Sequence, residues 1–227
     1  MVTKVLLVED QQLVRTGIRM MLHIAEPRCH IVEAGSHEEA IQRMAEHDFE
    51  VVFLDIDLRS EMSGIETLAA IRDAGRPVKV VMLSGRDDPV TVMQCISAGA
   101  SGFITKGQGD ESVFGRALAT IFNGGVYLPS SIVGSNRLGS AGAATDLGLT
   151  PRLCEVLYYV CQGLPNKSIA NRLGISEGTV RRDYVSDLLR FFKVARRTEL
   201  IVEVARRGIT IPPPRGALAP PSHRSPE

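Results

Sequence analysis

Short apolar runs alternate with longer amphipathic stretches through the first 125 residues of the chain. Lys4 to Val8, Ile31 to Ala34, Val51 to Leu54, Val78 to Leu83 and Gly102 to Thr105 have the length and apolar character of buried strands. Between them, helical spacing near residues 12–25, 37–47, 64–74, 89–98 and 110–123 predicts helices long enough to cross between parallel strands. Five such units predict an α/β doubly wound five-stranded parallel sheet. In that architecture ligands and chemistry collect at the carboxyl ends of the central strands.

The pattern changes after Tyr127. Pro129-Ser130-Ser131, Gly134-Ser135 and Gly139-Ser140-Ala141-Gly142 have little to bury and read as a flexible linker. From Thr150 the spacing is helical again, with Thr150-Pro151 as a helix start, Gly163 and Gly174 as stops and Ser176 as a further N-cap. Four short helices ending near Arg207 predict a small all-α domain. The segment from Pro212 to Glu227 holds six of the chain's twelve prolines and is expected to be disordered.

Composition adds further constraints. Apolar runs far shorter than a bilayer span predict no membrane helix, and an N-terminus that opens straight into a strand predicts no signal peptide. Cys29, Cys95, Cys154 and Cys161 have no metal-ligand spacing, which fits reduced core thiols in a cytoplasmic protein. The formal net charge is zero, but residues 1–125 carry 12 Lys and Arg against 18 Asp and Glu, leaving 14 against 8 in residues 126–227. An acidic half is joined to a basic half, and the basic half is where a phosphate backbone would bind.

In the first half, Glu9 and Asp10 follow the first strand and Asp55 ends the third apolar run. Three carboxylates at neighbouring strand ends need a cation, and hard oxygen donors with room for water suit Mg²⁺. Ser84 and Lys106 close the fourth and fifth strand runs, placing a hydroxyl and an ammonium where they can hold phosphoryl oxygens. A carboxylate nucleophile, metal, hydroxyl and lysine are the parts of an aspartyl-phosphate site. Asp57 is the rival acceptor; Asp55 is favoured because it ends the apolar run.

These residues, with Phe103 and the run Gly99-Ala-Ser-Gly-Phe-Ile-Thr-Lys106, make residues 1 to about 125 resemble the flavodoxin-like receiver domain of two-component response regulators. The resemblance implies that Asp55 accepts a phosphoryl group from a sensor histidine kinase, with no turnover of an external substrate. It implies that Glu9, Asp10, Asp55 and the backbone carbonyl of Asp57 hold Mg²⁺, that Lys106 binds the phosphoryl oxygen, and that Ser84 and Phe103 form a switch pair. One departure is local: between Asp55 and Gly64 the family's proline is missing and the glycine comes one residue late, so the loop beside the acceptor is remodelled.

In the second half, Asn166 to Gly174 reads as a short helix ended by glycine, and Ile175 to Arg182 opens another capped by Ser176. Ala170 permits close helix approach, Gly174 the tight turn, and Val180 packs the second helix on the first. Val180, Tyr184 and Leu188 are expected to face inward, Arg182 and Ser186 outward, with Arg181 on the flank. A basic outward face at the start of such a helix suits reading of the major groove. Leu149 to Leu157, Gly163 to Ala170 and Leu173 to Val180 resemble the LuxR-type DNA-binding domain, so the chain is similar to NarL/FixJ-class response regulators over residues 3–209. The resemblance carries Lys167, Thr179, Arg181 and Arg182 over as contacts to double-stranded promoter DNA. Asp183, where the family has histidine, and Arg190-Phe-Phe-Lys-Val194 depart from it.

Leu200, Ile201 and Val204 share one side of a last helix, which either pairs with a second copy in an active homodimer or packs within its own domain. The expected organisation is a receiver over 1–127, a linker over 128–146, a helix-turn-helix domain over 147–211 and a tail over 212–227. Two rivals stand beside this reading. A haloacid-dehalogenase-like phosphohydrolase would use Asp55, Asp57, Ser84 and Lys106, although its nucleophile normally follows the first strand. A phosphorylation-independent DNA-binding regulator would carry a degenerate receiver.

Overall fold

The structure is a computed structural model that describes residues 2–106, 111–129, 132, 141–143 and 148–214, the side chains of 111–113 and 141–143 excepted. The anticipated sheet is present. Strands β1 (Lys4–Val8), β2 (His30–Ala34), β3 (Val51–Asp55), β4 (Lys79–Ser84) and β5 (Gly102–Thr105) are all parallel, in the order β2-β1-β3-β4-β5. The chain reverses its winding direction between β1 and β3, so the crevice of this topology opens at their carboxyl ends.

Alternate residues along each central strand feed two apolar layers, which is why these strands read as unbroken apolar runs. Leu6, Val8, Val52, Leu54, Val80, Met82 and Phe103 lie in one layer; Val5, Leu7, Val51, Phe53, Val81, Leu83 and Ile104 lie in the other. Helix α1 (Gln12–Ala25) packs against α5 (Glu111–Phe122) on the second face. On the first lie α2 (His37–Glu46), α3 (Gly64–Asp73) and α4 (Pro89–Ser97), which begin at side-chain caps. The Ser36 hydroxyl accepts from Glu39 N–H, Ser63 and Glu66 form a capping box, and Asp88 accepts from Thr91 N–H ahead of Pro89.

The second domain holds α6 (Pro151–Cys161), α7 (Asn166–Leu173), a reading helix and α10 (Arg197–Arg206). The reading helix runs through α8 (Glu177–Thr179), a π-helical turn (Val180–Val185) and α9 (Ser186–Phe192). The expected inward face holds: Val180 and Leu188 are buried and Tyr184 is half-buried against the same core, and the turn adds buried Val185 beside them. An i→i+5 turn inserts one residue into the stripe, and the Ser186 hydroxyl donates to the Arg181 carbonyl at 3.0 Å. Leu200, Ile201 and Val204 of α10 are all buried. The domain is not purely helical, because β6 (Ala141–Ala143) pairs in parallel with β7 (Ile209–Thr210).

The expected flexible linker has structure where it is described. Leu128 and Ile132 are buried in the same core as the second domain, and β6 lies within it. Residues 130–131, 133–140 and 144–147 lie outside the described residues, as does the tail from 215.

The two domains share an interface at the start of β5. Helix α10 packs on α4, and the Thr198 hydroxyl donates to the Ala100 carbonyl at 3.1 Å, both residues being buried. The Arg196 guanidinium lies over Gly99, and Arg72 donates to the carbonyls of Gly99 and Val78 at 2.9 and 2.7 Å. After α5 the chain returns along β5, with Phe103 N–H donating to the Tyr127 carbonyl, and then Val126 N–H donates to the Gly163 carbonyl at 3.1 Å. Gly163 has a φ of +74°, and a Cβ there would stand 2.2 Å from the Val126 carbonyl oxygen. Glycine is therefore required twice over, by backbone conformation and by close approach.

Candidate phosphoacceptor site and nucleic-acid interface

The strand ends bring the predicted carboxylates together. Glu9 and Asp55 are fully buried, and one ligand oxygen from each of Glu9, Asp10 and Asp55 lies within 4.8 Å of the others. Lys106, carried in by β5, bridges the bottom of the cluster. Its Nζ lies 2.7 Å from Asp55 Oδ1 and 2.9 Å from Glu9 Oε2. Glu9 Oε1 accepts from Gln11 N–H at 3.1 Å.

Charge explains how this cluster exists without collapsing. Burial pushes the Glu9 carboxyl above its ordinary range, against the hydrogen bond from Lys106, and the charge on Asp55 pushes the same way. For Lys106, burial alone would depress the ammonium, but hydrogen bonds to Asp55 and Glu9 outweigh it and hold it above its ordinary value. Among the described residues, Asp10 Oδ1 and Asp55 Oδ2 are buried carboxylate oxygens with no hydrogen-bond partner. Orphaned anionic oxygens in one carboxylate cluster fit a hard, partly hydrated divalent cation such as Mg²⁺.

Asp57 follows at the crevice mouth with its side chain exposed, and its N–H donates to Asp55 Oδ1 at 3.3 Å. Ser84 is buried at the end of β4, where its hydroxyl accepts from Arg86 N–H at 3.1 Å and its carbonyl accepts from Lys106 N–H. Phe103 is fully buried beside Met82 in the strand register, on the same sheet face as Ser84.

The remodelled loop has a defined geometry. It leaves β3 at Asp55, buries Leu58, folds the Ser60 hydroxyl onto the Met62 carbonyl at 2.7 Å and returns at Gly64, whose N–H donates to the Ile56 carbonyl at 3.0 Å. A Cβ at Gly64 would lie 1.9 Å from the Asp55 carbonyl oxygen, which explains why glycine stands at this position. Sequence reasoning located this loop but missed Arg59, whose Nε lies 3.7 Å from Asp10 Oδ2. It also missed Arg196 and Thr198 at the domain interface. The missing proline was the only sequence signal for Arg59, and contacts so distant in the chain leave none.

In the second domain, Lys167, Arg181, Arg182 and Asp183 are exposed on and beside the reading helix. Thr179 is half-buried; its N–H donates to the Ser176 hydroxyl that caps the helix, at 3.0 Å, and the two hydroxyls lie 2.9 Å apart. Gly174, in the left-handed region at φ +65°, makes the turn between α7 and the reading helix. Arg197 ties α10 to the start of α7 and the turn before it by donating to Asn166 Oδ1 at 2.8 Å and to the Leu164 carbonyl. No described helix is long and apolar enough to cross a membrane.

A switch-point carboxylate pocket joined to a helix-turn-helix defines a DNA-binding response regulator. Comparison with known proteins agrees: residues 5–117 match the family model described as response regulator receiver domain, and residues 147–204 match that of bacterial regulatory proteins, luxR family. The chain belongs to the NarL/FixJ-class response regulators. It is 30% identical over 210 residues to the nitrate/nitrite response regulator protein NarL of Escherichia coli, covering 90% of this chain and 96% of that one. It is 29% identical over 222 residues to the transcriptional regulatory protein LnrK of Bacillus subtilis, covering 92% and 99%. The fold is also that of the Salmonella typhimurium RcsB response regulator, with a TM-score of 0.51 at 20% identity over 90% of this chain and 99% of that structure.

Proposed function

We propose that a sensor histidine kinase phosphorylates Asp55 and that phosphorylation releases the output domain to dimerise and bind promoter DNA. The observation that carries this reading is the Lys106 bridge between Asp55 and Glu9 beside two unpartnered carboxylate oxygens. In the transfer, a phosphohistidine N–P bond breaks as an Asp55 carboxylate oxygen forms a new O–P bond. Lys106, already against Asp55, balances charge on the phosphoryl oxygens. Glu9, Asp10, Asp55 and the Asp57 carbonyl would hold Mg²⁺, which supplies charge neutralisation when bound.

The Ser84 hydroxyl is the partner a phosphoryl oxygen would draw inward, and Phe103 follows on the same sheet face. Phe103 lies three residues after Ala100, which leads into β5 and accepts the Thr198 hydroxyl. A shift of β5 therefore reaches α10 directly. Lys167, Thr179, Arg181 and Arg182 are the proposed DNA contacts, and α10, freed from α4, is the proposed homodimer contact. We place the receiver at 1–127, the connector at 128–146, the output domain at 147–211 and the tail at 212–227. The relatives named as transcriptional regulators support this reading over a phosphohydrolase. The complete set of site residues disfavours a degenerate receiver.

The test is intact-mass spectrometry after incubation with Mg²⁺ and a small phosphodonor or the kinase, followed by promoter-DNA titration. One phosphoryl adduct on wild type, none on Asp55→Asn, and a gain of DNA affinity only in the phosphorylated protein are expected. A gain of DNA affinity by Asp55→Asn on the same treatment would overturn the mechanism.

A further inference from the structure

Arg59 has no role in the reading above, yet the loop holds it at the mouth of the carboxylate cluster. The loop is pinned at both ends, by buried Leu58 and by Gly64 pressed against the Asp55 carbonyl. Arg59 therefore stands beside Asp10, its side chain 79% exposed and that of Asp10 14%. The two cations at this site differ in how firmly they are held. Lys106 is half-enclosed and shared by two buried carboxylates at 2.7 and 2.9 Å, whereas Arg59 makes one longer contact of 3.7 Å from solvent. A divalent cation arriving at Asp10 meets Arg59 first and can displace it at small cost, because an exposed ion pair is weak.

We propose that Arg59 is a built-in competitor for the divalent cation at Asp10, lowering the affinity of the resting site for metal. The proposal rests on the reading that Mg²⁺ binds this cluster. A neighbouring unit charge a few ångströms from the cation, largely in solvent, opposes its binding by about three- to tenfold. Because Arg59 is exposed, salt screens that opposition, and the metal affinity of the protein becomes less dependent on Arg59 as ionic strength rises.

The experiment is isothermal titration of full-length protein with Mg²⁺ at low and high salt, comparing wild type, Arg59→Ala, Arg59→Lys and Asp10→Ala. The expected result is about three- to tenfold tighter Mg²⁺ binding by Arg59→Ala at low salt, a smaller gap at high salt, wild-type-like affinity for Arg59→Lys, and lost binding for Asp10→Ala. Equal affinities for wild type and Arg59→Ala would overturn the proposal and leave the metal site standing. Weaker binding by Arg59→Ala would overturn it in favour of a role for Arg59 in shaping the loop. Absence of binding by both proteins would overturn the metal reading itself and the proposal with it.

Discussion

Gly64 offers a severe test of the acceptor loop, because the clash it avoids is with the backbone of the acceptor residue. In Gly64→Ala the new methyl would stand 1.9 Å from the Asp55 carbonyl oxygen and 2.8 Å from both the Asp55 carbonyl carbon and Ile56 Cα. Cβ contacts below 3.0 Å do not persist, so the loop and the strand end must part by more than 1 Å. Neither neighbour is a flexible side chain. Overpacking against rigid backbone places the cost at the upper end of about 1–3 kcal/mol, or roughly 5–15 °C in the melting temperature of a domain of this size. Gly17, on the exposed side of α1 with no atom within 4 Å of an added Cβ, is the control. There the same substitution should stabilise by about 0.5–1 kcal/mol, because glycine is a poor helix former. Thermal unfolding of full-length Gly64→Ala and Gly17→Ala, followed by circular dichroism, should give shifts of opposite sign. A Gly64→Ala protein that melts within about 1 °C of wild type would show that the loop does not pack on Asp55 in this way.

Three further predictions concern other parts of the molecule. Thr198→Val keeps the shape of the side chain but strands the buried Ala100 carbonyl, at a cost of about 1–3 kcal/mol; small-angle scattering should show a larger radius of gyration, and an unchanged profile would refute the coupling. Hydrogen bonds from Arg206 and Arg207 hold the Glu203 carboxyl down to about 2 against an ordinary 4.5. Its contribution to stability is thus full above pH 4.5 and lost as pH falls towards 2, and in Glu203→Gln that part of the acid sensitivity should vanish from the unfolding profile. Burial pushes the Cys95 thiol up to about 12, so about one part in ten thousand is thiolate at pH 8; peptide mapping after brief treatment with a thiol reagent should find Cys95 unmodified unless the protein is first unfolded.

The sheet and the carboxylate pocket were legible in the sequence because both follow from local order. Strands buried on two faces must be apolar throughout, and Asp55 is conspicuous for ending one. Lys106 and Ser84 were legible for the same reason, as polar residues closing apolar runs. The π-helical turn was not, because Val180 to Val185 carries no mark that separates an i→i+5 turn from the ordinary stripe, and the turn adds Val185 to the inward face beside Tyr184. The burial of Leu128 and Ile132 was not legible from composition, because both sit among small and polar residues and reach a core built by distant helices. The contacts of Thr198 with Ala100 and of Arg59 with Asp10 depend on how elements meet, which periodicity does not encode.

The exposure of the reading helix while α10 is held by the receiver bears on how such a protein would search a chromosome. If the proposed contacts are right, the resting chain can still touch phosphates and slide along DNA as a single copy, since Lys167, Arg181 and Arg182 are uncovered. What the grip on α10 would withhold is the second half of a paired site. Phosphorylation would then lengthen the dwell at a promoter rather than quicken arrival there, and single-molecule tracking would separate the two, with a change confined to arrival rates ruling the idea out.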